Sequence, residues 1–383
     1  METTVMDNPK PNKFMSAMRK VNQALHNQTF LYIVKRILSS LLTLFLLIVL
    51  IIALIRLLPD EKFYSLGDYR LISGKNSPEI AQRWLEKQLF RYGILDINGK
   101  RVSVFTSIFT YIYQILPFYK EIPIRWSTDY TKVLDYWRGF SYFGKSLVVQ
   151  DKEVLELFGE RMGISFIISI VTVSLTYIFA VPLGVAMAKK PGGFADKVGN
   201  IFIVLNYSIP AIVFYLIMNM VFGKKDGIFG WADFGFFYDE DSPVLTLIPP
   251  ISCMVFLSIP GVSIWIRRFM LDELSNDYVK FARSKGLSER TIMYKHVFRN
   301  AIVPLVRNVP ATILGAIVGS YYIETIWKIP GTGRLLVTGL QSTPPDISII
   351  EGLTLIYGAI SMLSFLLGDI VTVFFDPRIK LED

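Results

Sequence analysis

Residues 139–146 read GFSYFGKS, which matches the phosphate-binding loop pattern G-x-x-x-x-G-K-[ST] of nucleotide hydrolases. Such a loop binds phosphate through backbone N–H groups placed between a buried strand and the N-terminus of a helix. Here three of the four variable positions are aromatic, and the preceding TKVLDYWR is charged where a buried strand is apolar. The nearest candidate carboxylates for Mg²⁺, in FMLDE at Phe269–Glu273, follow two arginines far along the chain. We therefore interpret this stretch, with Lys145, as a structural turn.

Other catalytic chemistry is poorly represented. One cysteine, Cys253, and two histidines, His26 and His296, exclude a disulfide framework and leave too few ligands for a zinc or iron–sulfur site. The sequence has no HExxH motif, and no Ser–His–Asp set or membrane-embedded carboxylate pair is recognisable. We expect no catalytic residue, no metal site and no cofactor in this chain, and hence no enzyme.

The composition is typical of a membrane protein. Of the 383 residues, 52% are hydrophobic and 19% are charged, and a helix needs roughly 20 apolar residues to cross the hydrocarbon. Six apolar runs predict an all-α integral membrane protein with six transmembrane helices, at Ile37–Ile55, Gly163–Ala188, Val198–Phe222, Val244–Ile266, Val309–Ile323 and Gly352–Phe375. The fifth run is short and rich in small residues, so a re-entrant segment is the alternative there.

The distribution of basic residues predicts the orientation. Residues 1–36 carry six basic and two acidic groups, residues 189–197 three and one, and residues 267–307 nine and four. Residues 223–243 carry two basic and five acidic groups, and residues 324–347 carry two of each. Both termini are therefore predicted to be cytoplasmic. The net charge of +8 then reflects cytoplasmic loops and not a nucleic-acid partner.

The predicted spans divide the chain into five parts. These are a cytoplasmic N-terminal segment (1–36), the first transmembrane helix (37–55), an extracytoplasmic insertion (56–161), a five-helix transmembrane core (162–375) with a cytoplasmic loop at 267–308, and a cytoplasmic tail (376–383). Within the insertion, VFTSIFTYIYQILPFY (Val104–Tyr119) is typical of an amphipathic or interfacial helix. The insertion either docks an exterior partner or covers the outer ends of the helices.

The loop at 267–308 contains the most informative pattern. Apolar residues at helical spacing predict an amphipathic helix over Phe269–Lys285. Gly286 ends it, because glycine adopts the left-handed conformation that a helix C-terminus often requires. Ser288 then caps a second helix that continues to Pro304. The resulting hairpin either contacts a partner or lies on anionic lipid.

This loop resembles the cytoplasmic signature of bacterial ABC importer permeases, in the B-type subunit of their dipeptide and oligopeptide branch. NDYVKFARSKGLSERTIMYKHVFRNAIVPLV fits the pattern D-Y-V-x-x-A-R-x-K-G-L-S followed by H-x-x-R-N-A-x-x-P. The wider permease motif has a Glu-Ala-Ala triplet six residues before the glycine. Lys280, Phe281 and Ala282 stand there, so only the last alanine is retained.

Three further segments are similar to the same family. They are ETIWKIPGTGRLLVTGL (Glu324–Leu340), GDIVTVFFDPRIK (Gly368–Lys380) and YFGKSLVVQDKEVLELFGERMGISF, in which GKS is a family turn before a span. The resemblance does not extend well to Leu57–Tyr136, so it implies nothing about the role of that part of the insertion.

The resemblance implies a type I ABC importer permease fold in the bacterial plasma membrane. Such a permease pairs with a second, homologous permease, and two cytoplasmic ATPases bind ATP and Mg²⁺ while an extracellular substrate-binding lipoprotein delivers the ligand. The residues implied to contact an ATPase are Asp277, Tyr278, Phe281, Ala282, Arg283, Lys285, Gly286, Leu287 and Ser288. Among them Tyr278, Phe281 and Ala282 are implied to enter an ATPase groove, as helix-in-groove docking requires.

Two questions stay open in the sequence. An ion-coupled secondary transporter is the alternative function, although it calls for carboxylates in mid-span, and Arg307, Glu351 and Asp369 lie toward span ends. The substrate is a di- or oligopeptide by resemblance, with nickel or another small solute as alternatives, and no residue is assigned to bind it. Prolines 182, 210 and 260 are predicted to kink spans.

Overall fold

The computed structural model describes residues 28–96, 99–126, 132–149, 152–224, 227–229, 232, 234–315 and 320–375. Helices α1 (Gln28–Arg56), α2 (Leu66–Lys75), α3 (Pro78–Arg91) and α4 (Val104–Ile115) precede strands β1 (Lys120–Trp126) and β2 (Val133–Gly139). Next come α5 (Val154–Lys189), α6 (Phe194–Ser208), α7 (Ala211–Gly223), α8 (Pro243–Leu274) and α9 (Asp277–Ser284). The chain continues through α10 (Glu289–Thr291), a π-helix (Ile292–Val297), α11 (Phe298–Ala301), α12 (Val303–Gly315), α13 (Tyr321–Ile326), α14 (Thr332–Gln341) and α15 (Ile347–Phe375).

Four described helices are long and apolar enough to cross a membrane. They contain the stretches Val34–Arg56, Val154–Lys189, Pro243–Leu274 and Ile347–Gly368. Helices α6 and α7 form a fifth span if the pair, which bends by 93° at its break, is taken as one. These five agree in position with five of the six predicted spans.

The remaining predicted span stays a prediction. Its range, Val309–Ile323, includes residues 316–319, which lie outside the described residues, and its described parts belong to α12 and α13. The side chains of Arg307 and Asp369, which the sequence marks as ionisable groups near membrane depth, also lie outside the description.

The break between α6 and α7 is connected by a hydrogen bond to a proline position inside α8. Pro210 precedes α7, as the sequence predicts for a kinked span, and Pro260 lies inside α8. Because proline has no N–H, the carbonyl of Phe256, four residues earlier, lacks its helical donor. The side-chain amide of Asn206 donates to that carbonyl at 3.1 Å. One hydrogen bond between helices therefore joins the end of α6 to the part of α8 that Pro260 leaves without a backbone donor.

Helix α5 packs along α8 at the centre of the bundle. Besides larger apolar side chains such as Ile168 and Met187, its buried residues include small ones spaced three or four residues apart: Ser165, Ser169, Thr172, Thr176, Ala180, Gly184 and Ala188. Small residues let two helix backbones approach closely, which is a common way to pack helices in a membrane. The apolar side chains of α5 outside this face, such as Ile167 and Ile178, are exposed.

The insertion between α1 and α5 is not wholly helical. Strands β1 and β2 pair antiparallel, with Lys120 opposite Gly139 and Ile122 opposite Trp137, and the all-α prediction lacked this sheet. The predicted amphipathic helix is confirmed as α4, which ends at Ile115. It packs on α1, because Ile108 shares an apolar cluster with Ile48 and Ile52.

Candidate functional site

The hairpin predicted from the sequence is formed by α9, α10, the π-helix and α11, and we call residues 277–301 the 277–301 hairpin. The single helix predicted over Phe269–Lys285 is wrong, since α8 ends at Leu274 and α9 begins at Asp277. The hydroxyl of Ser275 donates to the carbonyl of Asp272 at 2.7 Å. Such a local bond competes with helix continuation and favours a break.

The turn between α8 and α9 is braced by a tyrosine. The Tyr278 hydroxyl donates to Glu273 Oε2 at 2.6 Å, and the Asn276 amide donates to the same oxygen at 3.2 Å. Burial and this hydrogen bond to a carboxylate raise the pKa of Tyr278 to about 12. The angle at which α9 leaves α8 is therefore fixed by side chains on both helices.

One face of the 277–301 hairpin packs against the ends of α5 and α8. Val279, Ile292 and Val297 are fully buried, in a cluster with Ile266 and Met270 of α8. Ala282 belongs to the same cluster and is 7% exposed. Its side chain is thus covered by this chain, which differs from the partner contact that the resemblance implies for it.

Gly286 forms the turn of the hairpin as predicted. Its φ of 75° lies in the left-handed region, where glycine is favoured. The Gly286 N–H donates to the carbonyl of Arg283 at 2.9 Å, and the Leu287 N–H donates to that of Ala282 at 3.3 Å. These two bonds are the Schellman motif, which satisfies the last carbonyls of a helix.

Ser288 caps the following helix, as the sequence predicts. Its Oγ accepts the N–H of Thr291 at 3.3 Å and lies 2.8 Å from Thr291 Oγ1. The helix that follows is not a regular α-helix, because residues 292–297 form a π-helix, and nothing in the sequence pattern indicated it. The turn from Gly286 to Ser288 is therefore closed by hydrogen bonds of its own residues.

The opposite face of the hairpin presents charged and apolar side chains. Phe281 is 59% exposed and Leu287 is 40% exposed, while Lys285 Nζ lies 4.4 Å from the centroid of the Phe281 ring. Arg283 Nε donates to Glu289 Oε1 at 2.8 Å, and this contact lowers the pKa of the Glu289 carboxyl. The face thus combines an exposed aromatic ring with neighbouring cations.

Of the nine predicted site residues, the structure places most on or beside this exposed face. Asp277 bonds Lys280 on the surface of α9, Tyr278 points to the bend, and Ala282 points to the core. Glu273 and Glu289 are partners that the sequence analysis missed. Glu289 follows a helix cap, where a carboxylate is common, but no spacing rule connects Glu273 to Tyr278.

The loop that resembles a phosphate-binding loop binds a carboxylate from a distant part of the same chain, that of Asp346. The Ser146 hydroxyl and the Leu147 N–H each donate to Asp346 Oδ2 at 2.7 Å, and the Val148 N–H donates to it at 3.1 Å. Ser146 and Asp346 are both fully buried. The donors that a phosphate would require are thus used by Asp346, which supports the interpretation of GKS as a structural turn.

Gly144 is required at this turn for two reasons. Its φ is 89°, and a Cβ placed on it would lie 2.7 Å from Ser348 Oγ.

Asp346 also accepts the N–H of Ile349 at 3.2 Å through its other oxygen. One carboxylate therefore joins the insertion to the N-terminus of α15.

A second buried carboxylate lies in the segment before α14. Glu324 is 1% exposed and accepts from the Ser165 hydroxyl at 2.8 Å, the Ser320 N–H at 3.1 Å and the Arg334 N–H at 3.0 Å. It attaches α13 and α14 to α5. No spacing in the sequence marks this residue as a site residue, although it begins one of the segments that resemble the family. Within the described part of the chain, no group of three or more His, Cys, Asp or Glu side chains is arranged to hold a metal ion.

Comparisons with known proteins agree with the resemblance. Residues 180–381 match the model of the family described as binding-protein-dependent transport system inner membrane component. The oligopeptide transport system permease protein AmiC of Streptococcus pneumoniae (strain TIGR4) is 37% identical over 225 residues, which is 57% of this chain and 43% of that protein. The chain therefore spans less than half the length of this relative.

Two further relatives are covered more fully. The dipeptide permease DppB of Lactococcus lactis subsp. cremoris (strain MG1363) is 26% identical over 91% of this chain and 99% of its own length. The oligopeptide permease AppB of Bacillus subtilis (strain 168) is 30% identical over 62% of this chain and 76% of its own length. A structure of the inward-facing MetNI methionine ABC transporter aligns with a TM-score of 0.45 and 15% identity, over 58% of this chain and 98% of that one.

The family model covers more than half of the chain and includes the whole 277–301 hairpin. From α5 onward, the described helices that are long and apolar enough to cross a membrane are α5, α8 and α15, together with the bent pair α6 and α7 if it is taken as one span. This chain belongs to the family of binding-protein-dependent transport system inner membrane components.

Proposed function

We propose that this chain is a permease subunit of an ATP-driven ABC importer that forms half of a translocation path for di- or oligopeptides. Family membership and the peptide-permease names of its relatives support this over an ion-coupled secondary transporter. The complex would contain a second homologous permease, two cytoplasmic ATPases and an extracellular substrate-binding lipoprotein within the membrane lipid. ATP and Mg²⁺ would bind to the ATPases, so this chain itself carries out no catalysis.

The single observation that carries the proposal is the construction of the 277–301 hairpin. A Schellman turn and a serine cap close it, a buried face joins it to α5 and α8, and an exposed phenylalanine lies on its other face. A hairpin fixed in this way transmits a push on Phe281 to two membrane-spanning helices without bending. We assign it to dock one ATPase, with both chain termini on the same cytoplasmic side.

The geometry refines the contact set that the resemblance implies. Phe281 and Leu287 supply exposed apolar area, and Arg283 and Lys285 supply cations beside it. Ala282 and Gly286 act through the shape of the hairpin, and Tyr278 sets its angle to α8. A buried aromatic anchor surrounded by polar groups is the usual centre of a protein interface.

The test compares two aspartate variants at exposed aromatic residues of the hairpin. Phe281→Asp places a charge in the proposed interface, whereas Tyr294→Asp alters a ring that is 50% exposed but outside the predicted set. The tagged chain is purified in mild detergent from its native membrane, and every co-purifying protein is identified. We expect wild type and Tyr294→Asp to retain an ATPase, a second permease and a binding protein, and Phe281→Asp to lose the ATPase alone.

Two results would contradict the proposal. If the wild-type chain purifies alone or only with itself, the importer assignment fails. If Phe281→Asp retains the ATPase as well as wild type does, or if both variants lose it equally, the hairpin face around Phe281 is not the docking site.

A further inference from the structure

Helix α4 has an exposed aromatic stripe that the proposed function does not use. Phe105, Phe109 and Tyr113 are 76%, 65% and 55% exposed, and their spacing of four places them on one face of the helix. No residue of Val104–Ile115 is charged. A contiguous apolar surface of this kind on a folded protein marks a contact with a partner or a membrane.

The stripe continues beyond the end of the helix. Phe118 and Tyr119 are 61% and 59% exposed, and Phe140 of the returning chain is 62% exposed. The rings of Tyr119 and Phe140 contact each other edge to face, with centroids 6.0 Å apart. Of the charged groups beside this surface, Glu121 and Arg138 form an ion pair at 3.0 Å, and the buried ammonium of Lys120 lies 4.9 Å from the centroid of the Tyr113 ring. Among these described groups, each charge is therefore either paired with an opposite charge or covered by the chain.

The position of α4 along α1 gives its depth. The Arg56 guanidinium donates to the Ser107 hydroxyl, so the beginning of α4 lies beside the end of α1. Ile108 then packs with Ile48 and Ile52, which precede Arg56 by about 12 and 6 Å of helix rise. On the same half of α1, Leu46, Leu50 and Leu54 are each 55% exposed. The aromatic stripe thus lies beside the half of α1 that carries exposed apolar side chains of a membrane span.

The C-terminus of α4 is closed as a helix end in hydrocarbon must be. In lipid, carbonyls that lack an intrahelical partner need a donor from the protein. The ammonium of Lys120, whose residue is 3% exposed, donates to the carbonyls of Tyr113, Gln114 and Leu116. The Tyr142 N–H also donates to Gln114 O at 2.8 Å. A helix end in water would not need this closure.

We propose that α4 lies in one leaflet of the bilayer, with Phe105, Phe109 and Tyr113 in contact with the lipid acyl chains. Its 12 residues reach about 18 Å, which is too short to cross the hydrocarbon. The insertion would thereby be attached to the membrane beside α1 and would not stand free in water. Contact with hydrocarbon does not depend on the proposed transport function, whereas the outer leaflet follows from the proposed orientation.

Site-directed spin labelling of the full-length chain in proteoliposomes tests the proposal. A nitroxide on Phe109→Cys is compared with one on Leu50→Cys of α1 and one on Leu71→Cys of α2, which is 60% exposed and lies outside the described spans. Cys253 is buried, so the unsubstituted protein treated with label serves as the blank. Collisions are measured with oxygen, which concentrates in lipid, and with a water-soluble nickel complex.

We expect the ratio of oxygen to nickel collisions at Phe109 to match that at Leu50 and to exceed that at Leu71 several-fold. Phe105→Cys repeats the measurement on the same stripe in case one substitution disturbs the fold. A ratio at both positions equal to that at Leu71 would place the stripe in water and overturn the proposal. Protection from both reagents would overturn it too, because a protein partner would then cover the stripe.

Discussion

The 277–301 hairpin and the loop at residues 144–149 contain the same three-residue turn with different closures. Gly286-Leu287-Ser288 and Gly144-Lys145-Ser146 each begin with a left-handed glycine, with φ of 75° and 89°. In both, the serine Oγ accepts a backbone N–H three residues later, from Thr291 and from Val149. The hairpin is completed by local bonds, whereas the second turn is completed by Asp346, 200 residues away.

This difference explains why one turn was interpreted correctly in detail and the other only by exclusion. When a turn is closed by hydrogen bonds between neighbouring residues, its glycine, its capping serine and the apolar spacing of its helices lie next to one another in the sequence. When the closing residue is distant, only the glycine and serine of the turn are adjacent in the sequence. The pattern G-x-x-x-x-G-K-[ST] then looks like a phosphate-binding site. In the folded chain this turn does bind an anion, which is the carboxylate of Asp346.

The largest expected effect is that of Asp346→Ala. The substitution removes the acceptor for the buried Ser146 hydroxyl and for the part-buried N–H groups of Leu147 and Val148. An unsatisfied buried donor costs about 1–3 kcal/mol, and the two part-buried donors add less because water can reach them, so we expect a loss of about 3 kcal/mol. The midpoint of thermal unfolding in detergent measures it.

Asp346→Asn is the matched control, because it keeps one acceptor oxygen. Its loss should be smaller than that of Asp346→Ala. Equal unfolding midpoints for Asp346→Ala and wild type would show that the carboxylate does not hold the loop, and the comparison with the hairpin would then fail.

The two glycines should differ in their tolerance of alanine. At either position a left-handed alanine costs roughly 1–2 kcal/mol. A Cβ at Gly286 meets no atom within 4 Å, but a Cβ at Gly144 would lie 2.7 Å from Ser348 Oγ. We therefore expect Gly144→Ala to lower the unfolding midpoint more than Gly286→Ala.

Asparagine separates the two causes, because it tolerates the left-handed region better than alanine. Gly286→Asn should restore most of the stability lost in Gly286→Ala, whereas Gly144→Asn should not. If asparagine restored stability at both positions, the contact of the new Cβ with Ser348 would not be a cause of the loss at Gly144.

Much of the fold and of the hairpin could be predicted because the signals are local. The apolar runs agree in position with the four described helices long enough to span and with the bent pair α6 and α7, and Gly286 and Ser288 predicted the turn. What could not be predicted depends on distant partners or on competition within a turn. The acceptors of Ser146 and Ser165 lie 200 and 159 residues away, and the break at Ser275 follows from a hydroxyl that bonds the backbone where the apolar pattern continues.

Tyr278→Phe tests the brace at that break, with a smaller effect. Losing the hydrogen bond to Glu273 on a half-buried residue should cost about 1 kcal/mol or less. The pKa of Tyr278 is raised to about 12 from about 10 in an unfolded chain. Its contribution is thus fully present below pH about 10 and is lost as the pH rises to about 12.

The measurement is the difference in stability between wild type and Tyr278→Phe as a function of pH. It should be constant near neutral pH and shrink between pH about 10 and 12. A difference that does not change across this window would show that the hydroxyl proton is not held by Glu273.

The smallest expected effect is that of Lys145→Ala, the residue that makes the loop resemble a nucleotide site. Lys145 contributes backbone groups to the turn: its carbonyl accepts from Arg91, and its residue pairs with Glu153 in an isolated bridge. The donors to Asp346 come from its neighbours. Removing the ammonium group should therefore leave the unfolding midpoint, the ATPase activity of the complex and peptide uptake unchanged. If Lys145→Ala abolished ATP hydrolysis while the unfolding midpoint stayed the same, the loop would take part in nucleotide hydrolysis. The interpretation of this loop as a purely structural turn, like that of the hairpin, would then be wrong.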